Sequence, residues 1–143
     1  MMTKMPFLVF LLNSCQRRVQ HWIEAQTPEP KHLSAAQAGV LFVLEKHNGL
    51  LLGELASQLD IVPSAISGLI DRMQKQQWVQ RQKCPLDGRA VRVWLTESGN
   101  AQLKPLKNQL AVLNHKLSQG FNAQELAIVE RWLRHIQTEF SNQ

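Results

Sequence analysis

Tyrosine is absent from this 143-residue chain, and cysteine occurs only twice, at Cys15 and Cys84. Two cysteines cannot build the disulfide framework on which small secreted folds depend. No apolar stretch approaches the ~20 residues needed to cross a bilayer as a helix. The histidines His21, His32, His47, His115 and His135 show no His-x-x-x-His spacing for a metal. Neither a nucleophile–base constellation nor a phosphate-cradling glycine loop is visible, so the sequence points to no enzyme, no cofactor and no metal. Acidic residues are the scarcer charge. Sixteen Lys and Arg oppose eleven Asp and Glu, a net +5 that directs attention to acidic partners.

What is present suffices for one compact domain, or for two small lobes sharing one core. The hydrophobic fraction of 44% excludes a disordered chain. The positive charge is concentrated between Pro63 and Thr96. There Arg72, Lys75, Arg81, Lys83, Arg89 and Arg92 face only Asp71 and Asp87. The N-terminus superficially resembles a lipoprotein signal, with Lys4, an apolar run from Met5 to Leu12, then Asn13-Ser14-Cys15. Pro6 interrupts the run, Asn13 suits such a cleavage site poorly, and helical spacing runs straight through it (Leu8, Leu12, Cys15, Val19, Trp22, Ile23). The expectation is a cytoplasmic chain whose first helix spans about Pro6 to Gln26 and is broken by Thr27-Pro28-Glu29-Pro30.

A second helix is expected from Ser34, with Gln37 three residues on as in a capping box, ending at Asn48-Gly49. Leu50 to Leu52 can form a brief strand. Two short helices follow, about Gly53–Leu59 and Pro63–Gln76. Then come strands over Trp78–Lys83 and Ala90–Leu95, a long helix from Glu97 to Gln119 capped by Thr96 and stopped by Gly120, and a last helix from Asn122 to Phe140. The expected fold class is therefore mainly α with a small β-hairpin wing (α+β): a winged helix-turn-helix lobe beside a helical dimerisation lobe. Its boundaries are expected at 1–33 for an N-terminal dimerisation helix, 34–96 for the winged lobe and 97–143 for C-terminal dimerisation helices.

The stretch from Leu55 to Ile70 carries the helix-turn-helix reading. Ala56 is small enough for two helices to cross, Asp60 tolerates a left-handed turn, and Pro63 or Ser64 opens the second helix. Leu55, Leu59, Ile66 and Leu69 supply a shared core. On the second helix, Ile66, Leu69, Ile70 and Met73 fall on one side. The other side shows Ser64, Ala65, Ser67, Gly68, Asp71, Arg72 and Lys75. Small polar residues lead and cations trail, which suits an N-terminal end among base edges with cations at phosphates. Ser64 reads equally well as a helix cap. Asp71 is expected to pair with Lys75 or Arg72. In the hairpin, Val91, Val93 and Leu95 should face inward, with Arg92 and Trp94 facing away. Asp87-Gly88 is a strong turn signal. Arg89 at the tip suits a minor groove, and Asp87 is placed to orient it or to pair with another wing cation.

Taken together, Leu33-Ser34 with Gln37, Glu54-Leu55-Ala56, Ser64 to Arg72, Val79-Gln80-Arg81, Asp87-Gly88-Arg89 and Leu95-Thr96-Glu97-Ser98-Gly99 resemble the MarR (multiple antibiotic resistance regulator) family. The resemblance implies a homodimer that binds duplex DNA and represses nearby genes until a small ligand or cysteine oxidation relieves it. It implies Arg89 as the wing arginine and Asp87 as its partner, with Arg81 among the DNA-contacting residues. Gln77 departs from the glycine that usually ends the recognition helix, and Gln74 from a usual acidic residue.

The remaining features are open to more than one reading. Cys15 lies on the apolar stripe of the first helix and reads as a core cysteine, although Arg17, Arg18 and His21 nearby also permit a redox role. The missing tyrosine removes one donor that an oxidised sulfur could use. Cys84 sits at the wing, where oxidation would disturb docking. The terminal helices carry wide apolar faces (Leu103, Leu106, Leu110, Leu113, Leu117; Leu126, Val129, Leu133, Ile136), more than one small lobe can bury, and an intertwined dimer accounts for them. A small-molecule crevice lined by Trp22, Phe42 and Phe7 is a further expectation. The alternative to DNA binding is a winged helix used only for protein–protein contact. The exposed cations oppose it, because an interface core sheds charge.

Overall fold

The computed structural model describes residues 7–26 and 33–141. The expected helix start at Pro6, the lead-in from Lys4 and the Thr27–Pro30 break lie outside these residues. The chain divides into two compact units, residues 1–34 and 35–143.

The first unit contributes helix α1, Leu8–Gln26. The helical spacing passes through Ser14 and Cys15 as expected, and α1 has no buried residue. Phe7, Leu8, Val9, Phe10 and Leu11 are all exposed. Cys15 is exposed as well, which corrects its reading as a core cysteine. An apolar stripe shows which face seeks cover. It does not show that the chain itself provides that cover.

The second unit runs α2 (Ala35–Lys46), β1 (Leu50–Leu51), α3 (Leu52–Gln58), α4 (Pro63–Lys75), β2 (Val79–Lys83), β3 (Val91–Leu95), α5 (Glu97–Ala101), α6 (Leu103–Ser118) and α7 (Ala123–Glu139). Its sheet has the order β1-β3-β2, antiparallel throughout, with Arg81 opposite Val93 and Leu50 opposite the same Val93 on the other edge. Val40, Leu41 and Leu44 of α2 form the floor of the core. Leu55, Ile66, Ile70, Met73, Val79 and Val93 close over them, each almost fully buried. At roughly 1.5–3 kcal/mol for each large side chain removed from water, this layer is what orders the lobe.

Two expectations need correction here. The long helix from Glu97 to Gln119 is two helices that meet at Gln102. Pro105 is the cause: it has no N–H for the Ala101 carbonyl, and its ring would collide with that carbonyl in a continuous helix. Arg92, expected to face away, is half-buried, and its Nη1 donates to the Gly49 carbonyl at 2.8 Å. Leu95 N–H donates to Asn48 Oδ1 at 2.9 Å, so the two-residue β1 is fastened at both ends of the turn before it. Gly49 itself has φ +80°, and a Cβ there would stand 2.5 Å from the Trp94 indole.

Leu103 and Leu106 are buried against the lobe, and Lys107 Nζ meets Glu45 Oε1 at 2.7 Å. Gly120 (φ +89°) ends α6 region as expected. Asn122 then begins α7 with a full capping box: its side chain accepts from Glu125 N–H at 2.8 Å while Glu125 accepts from Asn122 N–H at 3.0 Å. Beyond Leu106 the apolar faces are uncovered. Leu110, Val112, Leu117, Ile128, Val129 and Leu133 are all exposed, and α7 has no buried residue.

Candidate nucleic-acid interface

Helices α3 and α4 cross where Ala56 is only 2% exposed. Asp60 between them takes φ +54°, the left-handed turn that its short polar side chain tolerates. Ile61 N–H reaches the Ala56 carbonyl at 2.9 Å and closes the turn. Pro63 occupies the first turn of α4, where its missing N–H has no consequence, and Val62 is the N-cap, with no side-chain cap. Ser64 is therefore not the cap, and its side chain is exposed.

On α4 the buried side is Ile66, Leu69, Ile70 and Met73, as the spacing predicts. Ser64, Ala65, Arg72 and Lys75 are exposed, while Ser67 and Gly68 are half-buried. Asp71 pairs with Arg81 of β2, not with Arg72 or Lys75. The same guanidinium donates through Nη2 to the Ser67 carbonyl at 3.0 Å and to Ser67 Oγ at 3.2 Å. Arg81 thus joins the middle of β2, an edge strand of the wing, to the middle of α4. This bridge was not legible in the sequence, where its three members are read as separate surface residues.

The C-terminal end of α4 is held differently. Gln77 has φ +66°, the conformation glycine would take most easily. Gln77 N–H reaches the Gln74 carbonyl at 2.9 Å and Trp78 N–H the Met73 carbonyl at 3.0 Å, the two bonds of a Schellman cap. The helix is thus capped as a glycine would cap it, at the steric cost of a β-carbon. Thr96, the N-cap of α5, then locks the base of the wing to this cap. Its hydroxyl donates to the Gln77 carbonyl and accepts from Gly99 N–H at 3.0 Å, and its N–H donates to the Trp78 carbonyl at 3.1 Å. A Cβ on Gly99 would stand 2.0 Å from the Trp78 oxygen. The Leu-Thr-x-x-Gly pattern is therefore a joint between recognition helix and wing.

At the wing tip Arg89 is exposed, and among the described residues it makes no ion pair. Asp87 Oδ1 accepts from the Arg89 backbone N–H at 3.0 Å, and the Asp87 carbonyl accepts from Ala90 N–H at 3.0 Å. Asp87 orients the Arg89 main chain and leaves its guanidinium unengaged. Cys84, half-buried at the start of this loop, has its thiol held below the usual range by the backbone N–H groups of Leu86 and Asp87, with Arg92 adding to the effect.

Of the expected ligand-lining residues, Trp22 is half-buried on α1 and lines an open groove of about 610 Å³ with Ser14, Arg17, Arg18, His21 and Ala25. Phe7 and Phe42 are not among the described residues lining it. No cluster of His, Cys, Asp or Glu able to hold a metal occurs among the described residues.

A helix pair crossing at a small residue, a second helix with a polar outer face, and a three-stranded wing joined to that helix define a winged helix-turn-helix protein. The comparisons agree. The MarR family model matches residues 33–90. An uncharacterised HTH-type transcriptional regulator of Bacillus subtilis, YsmB, is 32% identical over 90 residues, covering 63% of this chain and 62% of that protein. The chain thus spans less than two thirds of the length of these curated relatives, the repressor MdtR of Bacillus subtilis included at 61%. The PcaV regulator of Streptomyces coelicolor, solved with its natural ligand, has the same fold at a TM-score of 0.87 and 19% identity, over 96% of this chain and 98% of that one. A MarR mutant of E. coli in complex with operator DNA superposes with a TM-score of 0.75 and 25% identity, over 90% of each chain. This chain therefore carries the MarR sequence pattern over residues 33–90 and shares the fold of these regulators over nearly its whole length.

Proposed function

We propose that this protein is a homodimeric transcription regulator that binds duplex DNA in the cytoplasm, acts as a repressor on a pseudo-palindromic operator and is released by a small ligand. The observation that carries this reading is the bridge from Arg81 to Asp71 and Ser67, which couples a wing with an unengaged Arg89 at its tip to the exposed face of α4. In it, Ser64, Ala65, Ser67 and Gly68 face base edges, Arg72 and Lys75 reach phosphates, and Arg89 enters the neighbouring minor groove. The operator-bound MarR mutant and the ligand-bound PcaV support both halves of the proposal.

Arg89→Ala is the direct test. It should weaken duplex binding by about 10- to 100-fold, the scale of one good groove contact, with the thermal midpoint almost unchanged. Fluorescence anisotropy on labelled duplex and calorimetry read the two effects. Loss of fold together with loss of binding would mean that Arg89 is a structural residue.

Dimerisation is supported by the uncovered leucines of α6 and α7 and by the exposed Phe7 to Leu11 of the first unit. In this reading, residues 1–33 and 97–143 form the dimer and residues 34–96 read the DNA. Sedimentation should give twice the chain mass, and a variant combining Leu110→Asp with Leu133→Asp should sediment as a monomer. Operator half-sites should then lie one helical turn apart, or a multiple of it. The groove bearing Trp22, Arg17, Arg18 and His21 supports a ligand that is flat, apolar and anionic.

A further inference from the structure

Arg81 carries a positive charge on the wing and stands among residues expected to meet DNA, yet its guanidinium is already occupied. One nitrogen pairs with Asp71, and another donates to both oxygens of Ser67. Its side chain is only 25% exposed, against 53% for Asp71. A planar fork that spans a carboxylate, a helix carbonyl and a hydroxyl has no fixed donor pair left for a phosphate. The contact on Ser67 has a further effect. A serine hydroxyl offers one proton and two lone pairs, and Arg81 takes a lone pair. Among the described residues the hydroxyl proton has no acceptor, so it is left to donate outward.

Resting on the DNA-binding reading above, we propose that Arg81 is a positioning residue for sequence readout and not a phosphate contact: it holds Ser67 so that its hydroxyl donates to an acceptor on a base edge, and it fixes the wing against α4. The acceptors a major groove offers are purine N7, guanine O6 and thymine O4, so Ser67 favours a base pair that presents one of these at its position. Asp71 serves as the counter-charge that keeps the fork in place, which explains an acidic residue on a face turned toward phosphates.

Charge-preserving and charge-removing variants separate the two roles. Arg81→Lys keeps the cation but cannot span three acceptors at once. For a positioning residue, Arg81→Lys and Asp71→Asn each lower the ratio of operator to random-duplex affinity about tenfold, the scale of one lost base contact, while the salt slope of random-duplex binding stays that of the parent protein. Ser67→Ala lowers the same ratio, and adding Arg81→Lys to it causes little further loss, because both changes remove one contact. For a phosphate contact, Arg81→Lys leaves affinity and discrimination intact, and Arg81→Met reduces the slope by about one with uniform weakening across sequences. That second pattern overturns the proposal and leaves the DNA-binding reading standing. Failure of the parent protein to bind any duplex removes both. Circular dichroism at the assay temperature verifies that each variant is folded.

Discussion

Raising the salt concentration from 50 to 200 mM should weaken duplex binding by about 10³–10⁵, if 6–10 phosphates are neutralised. The structure narrows which cations are available for this. Arg81 is committed to Asp71 and Ser67, and Arg92 to the Gly49 carbonyl. Arg72, Lys75, Lys83 and Arg89 remain exposed. Four such cations per chain give roughly eight in a dimer, inside the range that sets the expected slope. The logarithm of the binding constant, plotted against the logarithm of salt concentration, should therefore fall steeply and in a straight line. A flat profile would instead favour a winged helix that recognises another protein, because such interfaces do not release a condensed counterion layer.

Gly99→Ala should be the most damaging single substitution in the lobe. The new methyl group would stand 2.0 Å from the Trp78 carbonyl oxygen, a backbone atom with no rotamer by which to move away. That oxygen also accepts from Thr96 N–H at 3.1 Å, so displacing it breaks the joint between the recognition helix and α5. Overpacking in a tight interior costs about 1–3 kcal/mol, and the loss of a buried bond adds about 1 kcal/mol more. The thermal midpoint should fall by about 10 °C in a calorimetric scan. Gly68→Ala is the matched control. There the nearest atom to a new Cβ is the flexible Arg72 guanidinium at 3.6 Å, and the midpoint should barely move.

The parts of the fold legible in the sequence were those set by local chemistry. Asp60 announced a left-handed turn, Pro63 a helix start, Asp87-Gly88 a hairpin and Thr96 a cap, because each acts on backbone within a few residues. The buried side of α4 followed from its periodicity. Pro105 was equally local and is what divides the long helix, but the apolar leucine stripe on either side of it suggested continuity. What was hidden depends on pairing between distant segments. Asp71 had Arg72 beside it and Lys75 four residues on in its own helix, and the strand of the wing nevertheless supplied its partner. Cys15 shared a stripe with Leu12 and Val19, and the stripe did not say whether its cover came from within the chain. Arg89 and Ser64 emerged as exposed because each sits where the chain turns or begins a helix, positions that sequence marks well.

Gly49 has a consequence for how this lobe can change over time. A side chain at that position must adopt a φ of +80° and also displace the Trp94 ring, two separate penalties on one codon. No single exchange at position 49 escapes both. Replacing Trp94 by something smaller lifts only the second penalty, and the left-handed backbone still restricts the site to glycine or to the short polar residues that tolerate it. Lineages that keep the indole are bound to keep the glycine, and those that lose it gain only a narrow choice.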